Sequence, residues 1–107
     1  MAQFDVHRNK GALRKSIPFV VIVQSSQFDR YRRRVVVPLV LQSLLPKGSP
    51  TAGARMNPVF VIEGLRVVLH PLDMVSVATD QLGELVDSLE DEGQTITDAL
   101  DELLTRS

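Results

Sequence analysis

From Gln3 to Val77 the chain is a succession of short apolar runs with no helical periodicity between them. Parallel strands need a long crossover, usually a helix, between them, so runs joined directly by loops favour antiparallel pairing. Residues 17–25, Ile-Pro-Phe-Val-Val-Ile-Val-Gln-Ser, are dense in β-branched and aromatic side chains that fit a pleated surface. Residues 35–41, Val-Val-Val-Pro-Leu-Val-Leu, are apolar on both faces and predict a largely buried strand. Pro38 has no amide proton, which predicts a strand end or a bulge at that point. Gln3–Val6 reads as a short opening strand. The clearest hairpin is Pro58–His70, where Val59–Ile62 and Leu65–Leu69 flank the two-residue turn Glu63-Gly64. Strands of this length and spacing favour a small antiparallel barrel.

The pattern changes after Val77. Ile96, Ala99, Leu100, Leu103 and Leu104 share one helical face, and Thr97, Asp98, Asp101 and Glu102 lie opposite. Ser88 is a fitting N-cap, with acids in the turn that follows, so the spacing predicts one C-terminal helix from about Ser88 to Leu104. Gly93 weakens that helix by about 1 kcal/mol. Leu82, Leu85, Val86 and Leu89 keep helical spacing too, which leaves 78–87 open between an earlier helix start and a connection. Gln27–Arg34 and Pro46–Asn57 read as exposed loops. The 107 residues make one domain, 1–107.

A net charge of −1 conceals a sharp asymmetry. Residues 1–70 hold eleven Lys/Arg and three Asp/Glu, or +8; residues 71–107 hold one Arg and ten Asp/Glu, or −9. Either a basic barrel surface faces an acidic helix within the molecule, or the two halves address partners.

The chemical inventory is thin. With no cysteine, disulfides, thiolate metal sites and a cysteine nucleophile are excluded. His7 and His70 are 63 positions apart and stand in no metal-ligand spacing, and His70 reads as a strand-end cap. Nucleophile elbows, phosphate-binding loops and dinucleotide fingerprints are missing, so no catalytic residue, metal or cofactor is assigned. The carboxylates after residue 70 read as a solvated helical face. The start has no signal-peptide core, and the longest apolar run is seven residues, too short for a membrane span; a cytoplasmic protein is expected. One cluster stands out, Arg30-Tyr31-Arg32-Arg33-Arg34. It could grip phosphates and stack a base, or its side chains could turn into the sheet and pair with the acidic half.

Four blocks in order, Gln3-Phe4-Asp5-Val6, Phe19-Val20 to Val23-Gln24-Ser25, Arg33–Leu39 and Asp73–Val77, resemble the CcdB family of toxins from plasmid toxin–antitoxin modules. Leu82-Gly83-Glu84 and Ala99-Leu100 follow in register. The resemblance implies an SH3-like barrel with a C-terminal helix, assembled as a homodimer. It implies a non-catalytic toxin that binds the A subunit of DNA gyrase, traps the enzyme on cleaved DNA, and is neutralised by an antitoxin. DNA would be met only through gyrase or the antitoxin complex. The implied gyrase-facing positions are Phe4, Ser25, Gln27, Phe28, Asp101, Leu104, Thr105, Arg106 and Ser107. The family's best-known toxins end in Trp-Gly-Ile, where this chain has Thr105-Arg106-Ser107. Gln27 replaces an apolar residue and Asp101 an amide. An acidic antitoxin tail would suit Arg8, Lys10, Arg14, Lys15 and Lys47. Two other readings share the fold: a non-toxic relative that binds an antitoxin and helps repress their operon, and a MazF-like endoribonuclease using Arg30–Arg34 with His70 or a serine.

Overall fold

In a computed structural model, which describes residues 2–45 and 52–105, the chain is mainly β with a C-terminal helix. The strands are β1 (Asp5–Asn9), β2 (Phe19–Ile22), β3 (Arg33–Leu41), β4 (Val59–Ile62), β5 (Leu65–Leu69), β6 (Val75–Ala78) and β7 (Leu82–Ser88), followed by α1 (Gly93–Leu104). They form one curled antiparallel sheet in the order β4-β5-β3-β2-β1-β7, with β6 also paired to β3. An antiparallel sheet followed by a C-terminal helix is the fold class the sequence predicts.

β3 organises the sheet because it is long enough to serve two neighbours along one edge. Arg33–Val36 pair with β6, and Leu39–Leu41 pair with β5. Pro38 falls where the neighbour changes. It is therefore inside the strand rather than at an end or bulge, at the one place where a missing donor is harmless; its carbonyl still accepts from His70 N at 3.1 Å. The other edge of β3 runs along β2, with Val21 opposite Val37.

Burial on both faces explains the unbroken apolar runs of β2 and β3. Phe19, Val21, Val37 and Leu39 point into the main core with Val6, Ile62, Val67, Leu69, Ile96 and Ala99. Val20, Ile22 and Val36 point the other way and form a smaller cluster with Leu82. Ile96 is fully buried and ties α1 to the sheet; such burial contributes about 1.5–3 kcal/mol.

The β4–β5 hairpin is as predicted, with Glu63 at φ 52° and Gly64 at φ 78° in the turn. The C-terminal region is not. The helix starts at Gly93, not Ser88, and Leu82–Ser88 is an edge strand on β1. Two register shifts, on either side of His7, make the pairing irregular, and only Leu82 of this strand is buried, so the strand carries no repeating apolar face. Ser88 is not the N-cap: it ends β7, its Oγ accepting from Glu90 N at 3.3 Å, while Leu89 is the N-cap of a 3-10 turn over Glu90–Glu92 and Glu92 that of the helix. The opening strand begins at Asp5 rather than Gln3, because Phe4 takes a φ of 70° that no strand continues through.

One close approach makes a test of the β1–β7 pairing. A Cβ on Gly83 would lie 2.8 Å from both Cβ and the carbonyl oxygen of Arg8, and backbone cannot swing aside as a side-chain tip can. The Gly83 carbonyl also lies 2.9 Å from Nδ1 of the buried His7, which donates to it. Gly83→Ala is expected to cost about 1–3 kcal/mol, as overpacking does, and to lower the melting temperature by about 5–15 °C. An unchanged thermal melt by circular dichroism would sink this.

Candidate protein-docking site

The residues expected to face a partner fall into two groups. The first centres on Phe4. Its amide donates to Ile22 O at 2.6 Å and its carbonyl accepts from Leu89 N at 2.9 Å, which together hold the positive φ. Its ring lies on Gly93, where a Cβ would come within 2.7 Å of a ring carbon. Glycine at the helix start is thus a seat for Phe4, not the mid-helix weakness the sequence implied. Beside it, Gln3 Nε2 donates to Val23 O at 3.0 Å, and a cavity of about 290 Å³ opens between Ala2–Asp5, Ser26, Ser88 and Glu90.

Ser25 caps the neighbouring 3-10 turn, Ser26–Phe28, its Oγ accepting from Gln27 N at 3.4 Å. Gln27 is exposed, and Phe28 is 46% exposed despite being a large apolar ring. Phe4, Ser25, Gln27 and Phe28 therefore come together at one end of the sheet.

The second group is at the far end of α1. Asp101 is exposed and Leu104 is 65% exposed. Thr105 closes the helix, its Oγ1 donating to Asp101 O at 2.9 Å. Eight residues separate Gly93 from Asp101, a rise of roughly 12 Å, so the two groups form separate patches on this chain. Arg106 and Ser107 lie outside the described residues.

Of the cations expected to meet an acidic tail, Arg8 is committed elsewhere. Its Nε donates to Glu84 at 2.5 Å and its Nη2 to Glu63 at 2.8 Å. These bonds, Glu84 first and Glu63 second, hold the guanidinium charged beyond its ordinary range. Because Glu63 sits in the β4–β5 turn and Glu84 on β7, Arg8 latches the two outer ends of the curled sheet to β1. Arg8–Glu84 and Arg55–Glu102 (3.4 Å) also join the basic and acidic halves within the molecule. Lys10 donates to the Asp80 carbonyl at 3.0 Å, Arg14 to Gly11 O at 3.3 Å, and both are exposed, as is Lys15. Lys47 lies outside the described residues.

The loop from Ser25 to Arg34 is built by two side chains that sequence reasoning assigned no such role. Gln24 Oε1 accepts from Val35 N at 3.2 Å, while its Nε2 donates to the Phe28 and Arg33 carbonyls at 3.3 Å each. Arg34, its side chain 6% exposed, donates to the carbonyls of Tyr31, Arg33 (3.0 Å) and Asp29 (2.6 Å), with Asp29 Oδ1 at 3.7 Å from its Nε. The signal available in the sequence was weak: a polar residue just past the end of one apolar strand, and one of two arginines at the start of another. His70 sits 3.2 Å from Asp73 through Nδ1 and lines a cavity of about 240 Å³ with Ser16, Ile17, Val40, Leu44 and Leu45. It heads the 3-10 turn Pro71–Asp73 without a side-chain capping bond. Among the described residues no group of three or more His, Cys, Asp or Glu side chains could hold a metal ion, and no helix is long and apolar enough to cross a membrane.

Two comparisons with known proteins bear on this arrangement. A family model described as CcdB protein matches residues 3–105. No curated protein matches the chain.

Proposed function

The chain belongs to the CcdB family of toxin–antitoxin toxins, and from that premise we propose that it acts in the cytoplasm by binding the A subunit of DNA gyrase. The observation that supports this most is the patch of Phe4, Ser25, Gln27 and Phe28, a half-exposed aromatic surface on a backbone held rigid by Gln24, Arg34 and the Gly93 seat. A rigid aromatic anchor loses little conformational freedom on binding. Asp101, Leu104 and Thr105 supply the second patch, followed by Arg106 and Ser107.

A homodimer fits this reading. Leu72 and Val75 are 59% and 49% exposed, apolar surface outside the two gyrase-facing patches that a second copy could cover. Light scattering reads the mass; a monomer at working concentrations would remove the dimer. The antitoxin is an acidic, apolar-rich segment drawn to Lys10, Arg14 and Lys15, and Arg14→Glu with Lys15→Glu would slow its capture most at low salt.

The central test is a supercoiling assay with purified gyrase. Inhibition with accumulated cleavage complexes is expected at tens of micromolar protein, a weak-affinity range. No inhibition and no cleavage complexes there would remove the gyrase assignment. Binding to an antitoxin without inhibition would leave the non-toxic, operon-repressing relative.

A further inference from the structure

The Arg30–Arg34 cluster is the prominent sequence feature that the docking patch does not use. Only Arg34 turns inward, to backbone carbonyls and Asp29. Arg30, Tyr31, Arg32 and Arg33 stay exposed. Every acidic residue of the chain is among the described ones, and among them none is paired with Arg30, Arg32 or Arg33. Neutralisation by the acidic half, one of the two arrangements the sequence allowed, therefore fails for all four arginines, since the one carboxylate near Arg34, Asp29, belongs to the basic half.

What remains is a charged platform with two rings in it. Arg30 Cζ lies 5.4 Å from the Tyr31 ring centroid, and the Tyr31 ring lies 6.3 Å from that of Phe28, tilted by 36°. Tyr31 is 54% exposed. Arg33 is aimed by Ser76 on β6, donating through Nε to Oγ at 2.9 Å and through Nη2 to the carbonyl at 2.7 Å. Arg34 and Gln24 fix the backbone beneath, so the groups are presented without a large ordering cost.

We propose that the Phe28–Arg33 loop binds single-stranded nucleic acid, with bases stacked on Tyr31 and Phe28 and phosphates held by Arg30, Arg32 and Arg33. Guanidiniums recognise phosphate in a planar fork, and aromatic faces stack any base. An acidic polypeptide would use the charges but leave the two rings unused. The two rings select single strands over duplex. In a duplex the base faces are already stacked on one another, whereas a single strand can splay its bases onto the two rings, which lie 6.3 Å apart and tilted by 36°. The acidic remainder of the chain keeps the affinity modest. This inference does not depend on the gyrase assignment, since it needs only the protein and an oligonucleotide.

Tyr31 is the only tyrosine and the chain has no tryptophan, so intrinsic fluorescence reports directly on the platform. Titration with an oligothymidylate of roughly 16 nucleotides, the upper end of one binding site, should quench that fluorescence with a Kd of about 1–100 µM at low salt. With a labelled strand followed by anisotropy, Tyr31→Ala should weaken binding at least about fivefold, whereas Tyr31→Phe should keep it. Arg30→Gln with Arg32→Gln should lower the slope of log K against log salt by about 1.4, or 0.7 per phosphate contact. No binding up to about 100 µM, duplex of equal length bound as tightly, or indifference to Tyr31→Ala would each overturn the proposal. So would quenching by polyglutamate but not by the oligonucleotide, which would assign the platform to an acidic protein.

Discussion

Arg34→Ala is expected to lower the melting temperature by about 15 °C and to release the 25–34 loop while leaving the strands paired. The replaced side chain satisfies the carbonyls of Asp29, Tyr31 and Arg33 from a site it almost fills. Leaving a buried polar group unmet costs about 1–3 kcal/mol, and some of these carbonyls will regain water once the loop opens, so a net loss of about 3 kcal/mol is the working figure. For a domain of this size that corresponds to roughly 12–24 °C. Arg34→Lys keeps the charge but offers a single ammonium that cannot span three carbonyls, and should recover less than half of the loss. Tyrosine fluorescence isolates the local effect because Tyr31 lies inside the loop. A melt and a tyrosine signal both equal to the parent's would show that the guanidinium is not what shapes this loop.

Replacing Thr105-Arg106-Ser107 by Trp-Gly-Ile is expected to raise affinity for the gyrase A subunit at least about thirtyfold. That figure is one interface hot spot, about 2 kcal/mol, converted at 1.4 kcal/mol per decade. The native ending cannot provide it. Thr105 spends its hydroxyl on the Asp101 carbonyl, Leu104 before it is already exposed, and neither serine nor threonine fills an apolar pocket. The graft loses that exposed helix-end bond, a small cost against the gain. Calorimetric titration with the isolated subunit measures the change, and growth arrest on expression tests its consequence. Affinity no higher than the parent's would mean that the helix end does not meet gyrase as the resemblance implies.

The sheet was legible because its signals were local. Val59–Leu69 announces a hairpin through two apolar runs and a turn, and β2 and β3 announce burial through runs without polar interruption. β7 was illegible because its apolar residues do not alternate: Leu82, Leu85 and Val86 keep a spacing that imitates a helix, and of the strand's residues only Leu82 is buried. The helix start was misplaced for a related reason. Ser88 carries a capping residue's chemistry but ends β7, and the helix starts at Gly93, whose bare Cα lies against the ring of Phe4 some ninety positions earlier in the chain. In the loop between β2 and β3, the exposure of the segment could be read, but not which arginine would turn inward. Arg30, Arg32, Arg33 and Arg34 look equivalent in sequence; only the pleat of β3 and the carbonyls beneath it distinguish the last.

Phe4 also carries a consequence for synthesis on the ribosome. Its carbonyl waits for Leu89 and its ring for Gly93, and β1 gains its outer neighbour only with β7. Contacts of such long sequence separation form late, because closing the intervening chain costs entropy before any contact rewards it. A nascent chain that has already made β1, β2 and β3 therefore has no finished docking patch. The surface that would recognise a target is completed only once Leu89 and Gly93 have been made, and a product truncated before them would carry Phe4 without its seat.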